Sequence, residues 1–362
     1  MERKQPGRPL GRRLSRRALT AVSLLAMTGA ALTGCASGKA TGGDSEATAS
    51  AAEGGSASGS GGGKNSIYVI GGKADDPFWS AIKRGGEDAA KVVSADGGKV
   101  TFLGPQNYDN LGPDAAKLTL TALSQNPSAI LVPDWVPENQ DAAIKQAIAK
   151  GVKVFIYNSG GVDAAERTGA VKYIGSDDYE AGKAGGAKLA EEGAENILCV
   201  NTVPGSANQE ARCKGIKDGA ESKGAKSKQL PLPSSNFGNP SAVTQAIKGA
   251  LLKDSSIDGL VTIGVQDADS AAAAIEQAKV EDRVELGTFD LSQSQLDRIK
   301  DGKQLFAIDQ QPYLQGFYAV SIANQYLSYG VLPPQNPLLT GPLLVVKDNV
   351  AAAIAGTKAG VR

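Results

Sequence analysis

Short β-rich runs and helical stretches alternate along the chain from Ser66 to Asn349. In order they read SIYVIGG, then a helix over 77–93; KVTFLG, then 113–124; SAILVPD, then 138–150; VKVFIYNS and VKYIGS, then 178–192. They continue with NILCVNT, then helices over 209–222 and 240–253; IDGLVTIG, then 267–279; VELGTFD, then 292–300; QLFAIDQ, then 312–329; and GPLLVVKDN. Strands separated by helices form right-handed βαβ units and mostly parallel sheets. The units are too many for one ordinary doubly wound sheet. The pattern therefore predicts an α/β protein with two similar doubly wound parallel-sheet lobes. In such sheets ligands bind outside the carboxyl ends of the strands, so the residues just after each strand carry the functional information.

Strand one ends in Gly71-Gly72, followed by Asp75-Asp76-Pro77-Phe78-Trp79. Pro77 suits the first helical turn and Asp76 the N-cap before it. Asp76 is thus a plain cap on one reading and a ligand to a hydroxyl on the other. Further strand ends carry Asp134-Trp135, Asn158-Ser159, Gln266-Asp267, Asp290 and Gln310, and the helix opening after NTVPGSANQE carries Arg212. Such planar groups make paired hydrogen bonds to vicinal hydroxyls. The apolar face of a sugar ring is matched by a flat aromatic ring. Only 5% of the residues are aromatic and two are tryptophan, so Phe78, Trp79, Trp135 and Phe237 stand out. Core packing is the commoner use of any single aromatic. The Phe78-Trp79 pair at a strand-to-helix mouth points to ligand contact.

The N-terminus reads as a secretory signal over 1–34. Seven basic residues between Arg3 and Arg17 precede an uncharged segment, Ala18 to Gly34. That is short for a spanning helix, although an uncleaved membrane helix is the other reading. Leu32-Thr33-Gly34-Cys35 resembles the lipobox of bacterial lipoproteins, which implies acylation of Cys35. Ser15-Arg16-Arg17 hints at twin-arginine export. A stretch over 35–64, almost entirely Gly, Ser, Ala and Thr, reads as a flexible tether. Removing 1–34 lowers Lys+Arg from 38 to 31 and Asp+Glu from 38 to 37, which leaves the body about 6 units negative. A basic nucleic-acid footprint is therefore absent from the sequence. Of three cysteines, Cys199 and Cys213 remain beside Cys35. In an oxidising compartment they suggest one disulfide; two buried free thiols are the alternative.

The body, over about Ser66 to Val346, resembles the periplasmic sugar-binding proteins of ABC importers, in the ribose-binding-like branch with the type I periplasmic binding fold. DDPFWSAIKRGGEDAAK is similar to that family's Asn-Pro-Phe-Phe helix opening. EARCKGIKDG is similar to its Arg-x-Arg-Gly segment, LGTFDLS to its Phe-Asp turn, and FAIDQQPYLQG to its hinge-proximal stretch. The resemblance implies ligand roles for Arg212, Asp290 and Gln310, and extends to Asp76, Phe78, Trp79, Asp134, Trp135, Asn158, Phe237 and Gln266. It also implies lobe one over 65–175 and 311–340, lobe two over 176–310 and 341–362, and a hinge of three crossings. Asp76 replaces the asparagine of pentose-binding members, and Asn158-Ser159 stands where they carry an Asp-Arg pair. A ligand held as ribose is held is therefore not expected.

The expected function is capture of a neutral or aminated monosaccharide or polyol and its delivery to an ABC permease, by a monomer anchored through lipid, without cofactor or metal. A sugar-sensing ectodomain serving a membrane receptor or kinase is the nearest alternative. The effector domain of a repressor would need a DNA-binding helix-turn-helix ahead of the body, where the tether lies. A secreted carbohydrate-active enzyme is more remote. The chain has no His, which removes His-based triads and most zinc sites. It also lacks a Gly-x-Ser-x-Gly elbow and a Walker A loop. Asp76 and Asp290 remain as a conceivable carboxylate pair.

Overall fold

The computed structural model describes residues 64–362, all of which fall within one compact unit. The expected signal segment, the Cys35 lipidation site and the tether up to residue 63 lie outside the described residues.

Ten strands are each followed by one helix. They are β1 (Ser66–Ile70), β2 (Lys99–Leu103), β3 (Ala129–Val132), β4 (Lys153–Tyr157), β5 (Tyr173–Ser176), β6 (Asn196–Asn201), β7 (Lys226–Pro231), β8 (Gly259–Thr262), β9 (Glu285–Phe289) and β10 (Phe306–Asp309). Their helices, in the same order, are α1 (Pro77–Ala95), α2 (Leu111–Leu123), α3 (Pro137–Ala149), α4 (Gly161–Thr168), α5 (Asp178–Glu191), α6 (Ala207–Glu221), α7 (Pro240–Lys253), α8 (Val265–Ala278), α9 (Gln293–Lys300) and α10 (Pro312–Tyr329). The chain closes with β11 (Leu338–Gly341), β12 (Leu343–Val345) and α11 (Val350–Ala359).

Two six-stranded sheets result, in the orders β11-β5-β4-β3-β1-β2 and β12-β10-β9-β8-β6-β7. All pairings are parallel except β12 against β10. The two sheets are copies of one plan: β1 corresponds to β6, β2 to β7, and so on to β5 and β10. The chain passes between lobes after β5, after β10, and between β11 and β12. Helix α10 packs on α1 and strands β1, β3, β4 and β5, and α5 packs on α6 and strands of the second sheet. Each of these helices therefore completes the lobe opposite to the strand it follows.

Central strands such as β3 and β8 are buried at every residue, as expected for parallel strands covered on both faces. Each sheet has a core on either side. Ile67, Val69, Leu131 and Phe155 face α1 and α10, while Ile130, Val132, Ile144 and Ile156 form the opposite layer. In lobe two, Ile197, Val261 and Ile308 face α5 and α6, and Leu198, Val200 and Leu260 face α7 and α8, where they meet Ile247.

The helices read from sequence end within two residues of those found. Four elements escaped notice. Strand β7, KSKQLP, is an edge strand with mostly exposed side chains and so has no apolar run. Helix α4 spans only eight residues. The segment GPLLVVKDN is interrupted at Pro342, so β11 lies ahead of it and β12 within it. Helix α11 carries small apolar residues and shows little periodicity.

Candidate functional site

The segments after β1, β2, β3 and β4 in lobe one face those after β6, β7, β8 and β9 in lobe two. With Gln310 after β10, they line a cavity of about 80 Å³.

On the lobe-one side the chain leaves β1 through Gly71 and Gly72. A Cβ at position 72 would lie 2.1 Å from the indole Nε1 of Trp79, so the indole occupies the strand end because that position has no side chain. Asp76 caps α1, its Oδ1 accepting from the Phe78 N–H at 3.0 Å. The Trp79 ring then meets Phe78, Trp135 and Tyr157 edge-on, at centroid distances of 5.4, 5.5 and 6.3 Å. Such edge-to-face contacts favour the quadrupole of each ring and make one connected aromatic wall. Trp135 is set by Gln140, whose Oε1 accepts from the Trp135 and Val136 N–H groups, each at 2.9 Å.

On the lobe-two side, α6 lies tightly on α5. A Cβ at Gly182 would fall 2.1 Å from the Arg212 carbonyl oxygen. That approach brings the buried Arg212 guanidinium to Asp178, to which Nε donates at 2.8 Å. Its Nη1 donates to the Ile263 carbonyl at 2.6 Å and its Nη2 to Gln310 Oε1 at 2.8 Å. The guanidinium lies over Phe289, 4.5 Å from the ring centroid. Gln310 Nε2 in turn donates to Asp290 Oδ1 at 2.5 Å. A polar chain therefore runs Asp178–Arg212–Gln310–Asp290.

That chain leaves capacity for a ligand. Arg212 has five N–H donors, and three serve described residues. Asp290 Oδ2 accepts from no described residue. Burial pushes Asp290 up to about 6, against the pull of Arg212 and Gln310, and pushes Asp178 up to about 6 in the same way. Two amides beside Arg212 add to the surface. Ser206 donates to Asn208 Oδ1 at 2.8 Å, which leaves the Asn208 Nδ2 donors, and Gln209 Oε1 is buried without a protein partner.

Asn158 and Asp290 sit at corresponding places, just after β4 and β9. Both take left-handed backbone, with φ of 62° and 64°, a region Asn and Asp enter more readily than other non-glycine residues. Asn158 Nδ2 donates to Gln315 Oε1 of α10 at 3.0 Å, which fixes the amide plane.

The lobes touch around this cavity. The Ala207 N–H donates to the Trp135 carbonyl at 2.8 Å. Gln266 Nε2 donates to Asp76 Oδ2 at 2.8 Å, and the Tyr108 hydroxyl donates to the same oxygen at 2.8 Å. Tyr108 meets Phe237 edge-on at 4.9 Å. Burial raises the Asp76 carboxyl pKa, opposed by its bonds to Tyr108 and Phe78.

Ten of the residues expected from sequence line this one cavity: Asp76, Phe78, Trp79, Trp135, Asn158, Arg212, Phe237, Gln266, Asp290 and Gln310. Asp134 does not, and the expectation for it is corrected. Its carboxylate is fully buried and turned to Arg167, whose Nη2 lies 2.5 Å from Oδ2. Arg167 also holds Asp141 at 2.9 Å. Burial and the nearby Asp141 charge push Asp134 up to about 6, against Arg167. Asp134 thus joins the loop after β3 to α4.

Tyr108, Asn208 and Gln209 line the cavity and were missed. Asn208 and Gln209 precede Arg212 by four and three residues, so helical periodicity puts all three on one face; that signal was present. Tyr108 follows β2 as Phe237 follows β7, a correspondence visible only once β7 is seen. Cys199 and Cys213 form a disulfide, with Cα atoms 5.7 Å apart, that ties β6 to α6. Among the described residues, no group of three His, Cys, Asp or Glu is arranged to hold a metal ion, and no helix is long and apolar enough to cross a membrane.

A family profile described as a periplasmic binding protein domain matches residues 67–330. The xylose/arabinose-binding protein XylF of Sulfolobus acidocaldarius is 23% identical over 304 residues, covering 78% of this chain and 71% of that one. The D-apiose import binding protein of Paraburkholderia graminis is 24% identical, covering 79% of this chain and 88% of that one. A carbohydrate transporter structure from Acidothermus cellulolyticus, solved with myo-inositol, superposes with a TM-score of 0.74 at 29% identity, covering 83% of this chain and all of that one. The chain belongs to the periplasmic binding protein family, with the two-lobed type I fold of its sugar-binding members.

Proposed function

We propose that this protein is a lipid-anchored solute-binding protein that captures one monosaccharide or polyol between its lobes and delivers it to an ABC importer. The observation that carries the reading is the cavity itself. It pairs an aromatic wall with a chain of planar polar groups whose free positions are an acceptor on Asp290 and donors on Arg212 and Asn208. Ring hydroxyls need paired donors and acceptors, and ring C–H faces need flat apolar partners. The ligands named for the relatives, sugars and a cyclitol, are of this kind.

In this reading lobe one comprises 65–175 and 311–340, lobe two 176–310 and 341–362, and the three crossings act as the hinge. Ligand contacts made only by the closed form bias the hinge toward closure, and closure presents a composite surface to the permease. Cys35 carries the lipid, and the protein works outside the cytoplasmic membrane as a monomer, without cofactor. Because the carboxylates Asp76, Asp178 and Asp290 outnumber the one arginine, neutral or aminated ligands are favoured over phosphorylated ones. The relatives are binding proteins, and the reading requires no turnover.

A thermal-shift panel of sugars, cyclitols and their phosphates on residues 36–362 tests it. A ligand at ~100 times its Kd adds roughly 2.7 kcal/mol of stability. Failure of every neutral sugar and polyol to shift the melting point would overturn the reading.

A further inference from the structure

The cavity has an outer wall only one side chain thick. Asp76, Tyr108, Phe237 and Gln266 line both the cavity and a separate groove of about 460 Å³ on the outer side. Two of the four come from each lobe. Asp76 Oδ2 accepts from both Tyr108 and Gln266, and the Tyr108 ring edge rests on Phe237. The Tyr108 hydroxyl also accepts from the Lys73 N–H at 2.9 Å, which holds it in place. Together the four residues make a clasp that exists only when the lobes meet.

Beyond the clasp the groove is lined by Asp75, Asn107, Asp109 and Asn239. These are flat polar groups of the type that match hydroxyls inside the cavity. A surface able to accept a second ring therefore lies directly outside the first, and the Phe237 ring and Gln266 amide keep the two apart.

We infer that this clasp is a size filter, which limits the protein to a ligand of one ring and excludes that ring when it carries a glycosidic substituent pointing at the mouth. The inference rests on the proposed sugar or polyol reading of the cavity. A substituent there would separate Tyr108 from Phe237 and take the Gln266 donor from a largely buried carboxylate. Exclusion then comes from a clash together with an unmade hydrogen bond. Tyr108 and Phe237 become residues that set specificity, and Asp76 is a closure residue more than a ligand.

The test uses the purified full chain and calorimetry. D-xylose, L-arabinose, D-allose, D-glucose and myo-inositol are screened first. Whichever binds is compared with its phenyl glycosides of both anomers, or its phenyl ethers in the case of inositol. The wild type should bind the substituted rings at least ~100-fold more weakly than the free ring, within the range that steric exclusion by a pocket reaches. Phe237→Ala should bring one substituted ring to within ~10-fold of that variant's own affinity for the free ring. Gln266→Ala, which leaves the aromatic contact intact, should shift the same ratio less and guards against misfolding of the first variant. Equal binding of free and substituted rings by the wild type overturns the filter. So does an unchanged ratio in both variants when they still melt cooperatively and bind the free ring. Failure of the wild type to bind any free ring overturns the sugar reading instead, and the filter falls with it.

Discussion

Lobe one reaches the cavity through the loops after β1, β2, β3 and β4, and lobe two through those after β6, β7, β8 and β9. Strand for strand the loops correspond, yet their cargo differs. The β1 loop brings Phe78 and Trp79 where the β6 loop brings Asn208, Gln209 and Arg212. The β3 loop brings Trp135 where the β8 loop brings Gln266. One wall is rigid because rings pack on rings and on bare glycine backbone. The other is rigid because each polar group is held by the next. One backbone plan thus supports two kinds of preorganisation, and these fail in different ways when cut.

The largest contrast is expected at Arg212. Arg212→Ala strands Asp178 without its partner in a buried site, which should cost about 3–5 kcal/mol of folding stability and abolish binding. Urea denaturation and calorimetry measure both, and a loss under about 1 kcal/mol would show that the polar wall bears no structural load. Next comes the Cys199–Cys213 disulfide, which has no counterpart in lobe one. Replacing both cysteines with alanine should cost about 3 kcal/mol, the loop-closure value for about 15 residues. The melting point should fall, and ligand affinity should stay within about threefold if Arg212 keeps its place. Asp290→Asn comes third. In the proposed reading it removes the charge from a hydrogen bond to ligand, worth about 1.5–3 kcal/mol, and isothermal titration reads the loss directly.

The pH dependence sharpens the same point. Without ligand, Asp290 is pushed up to about 6 by burial. A hydroxyl donating to it favours the charged form, so binding lowers its pKa and releases protons. Affinity should be level above about pH 7 and fall as the pH drops through 6, by at most tenfold per unit. Asp290→Asn should flatten the profile, and tighter binding in acid would reverse the assigned sign. Phe78→Leu is the smallest change. It forfeits one edge-to-face contact, about 0.5–1.5 kcal/mol, and affinity should weaken by tenfold or less in a titration. A larger loss would mean that the ring of Phe78 itself stacks on the ligand.

The difference between the lobes also explains what could be read in advance. Buried parallel strands leave unmistakable apolar runs, so the sheet-and-helix alternation was legible, and with it the positions just after each strand. Residues there stood out where their type was unusual, as with Phe78-Trp79 and Arg212, which line one cavity. Asp134 was misassigned because a strand end says nothing of which way its side chain turns, and here Arg167 decided that. Tyr108 was missed because its partner Phe237 is 129 positions away and β7 before it is too polar to see. The Gln310 bridge between Arg212 and Asp290 likewise depends on α6 meeting the turns after β9 and β10.

Helices α5 and α10 each complete the lobe opposite to the strand they follow, and this has a consequence for the order of events during synthesis. Five of the six strands of the first sheet are translated by Ser176, but the helix that covers one of its faces is not complete until Tyr329, and the edge strand β11 follows later still. At about 5–20 residues per second this interval of 153 residues lasts on the order of 8–30 s. During that time the face bearing Ile67, Val69, Leu131 and Phe155 has α1 but not α10 to shield it. The first lobe is therefore not a unit that can be made and finished before the second. Its nascent form waits, incompletely covered, for the rest of the chain, and a break at the first crossing would release two fragments with unfinished cores instead of two domains.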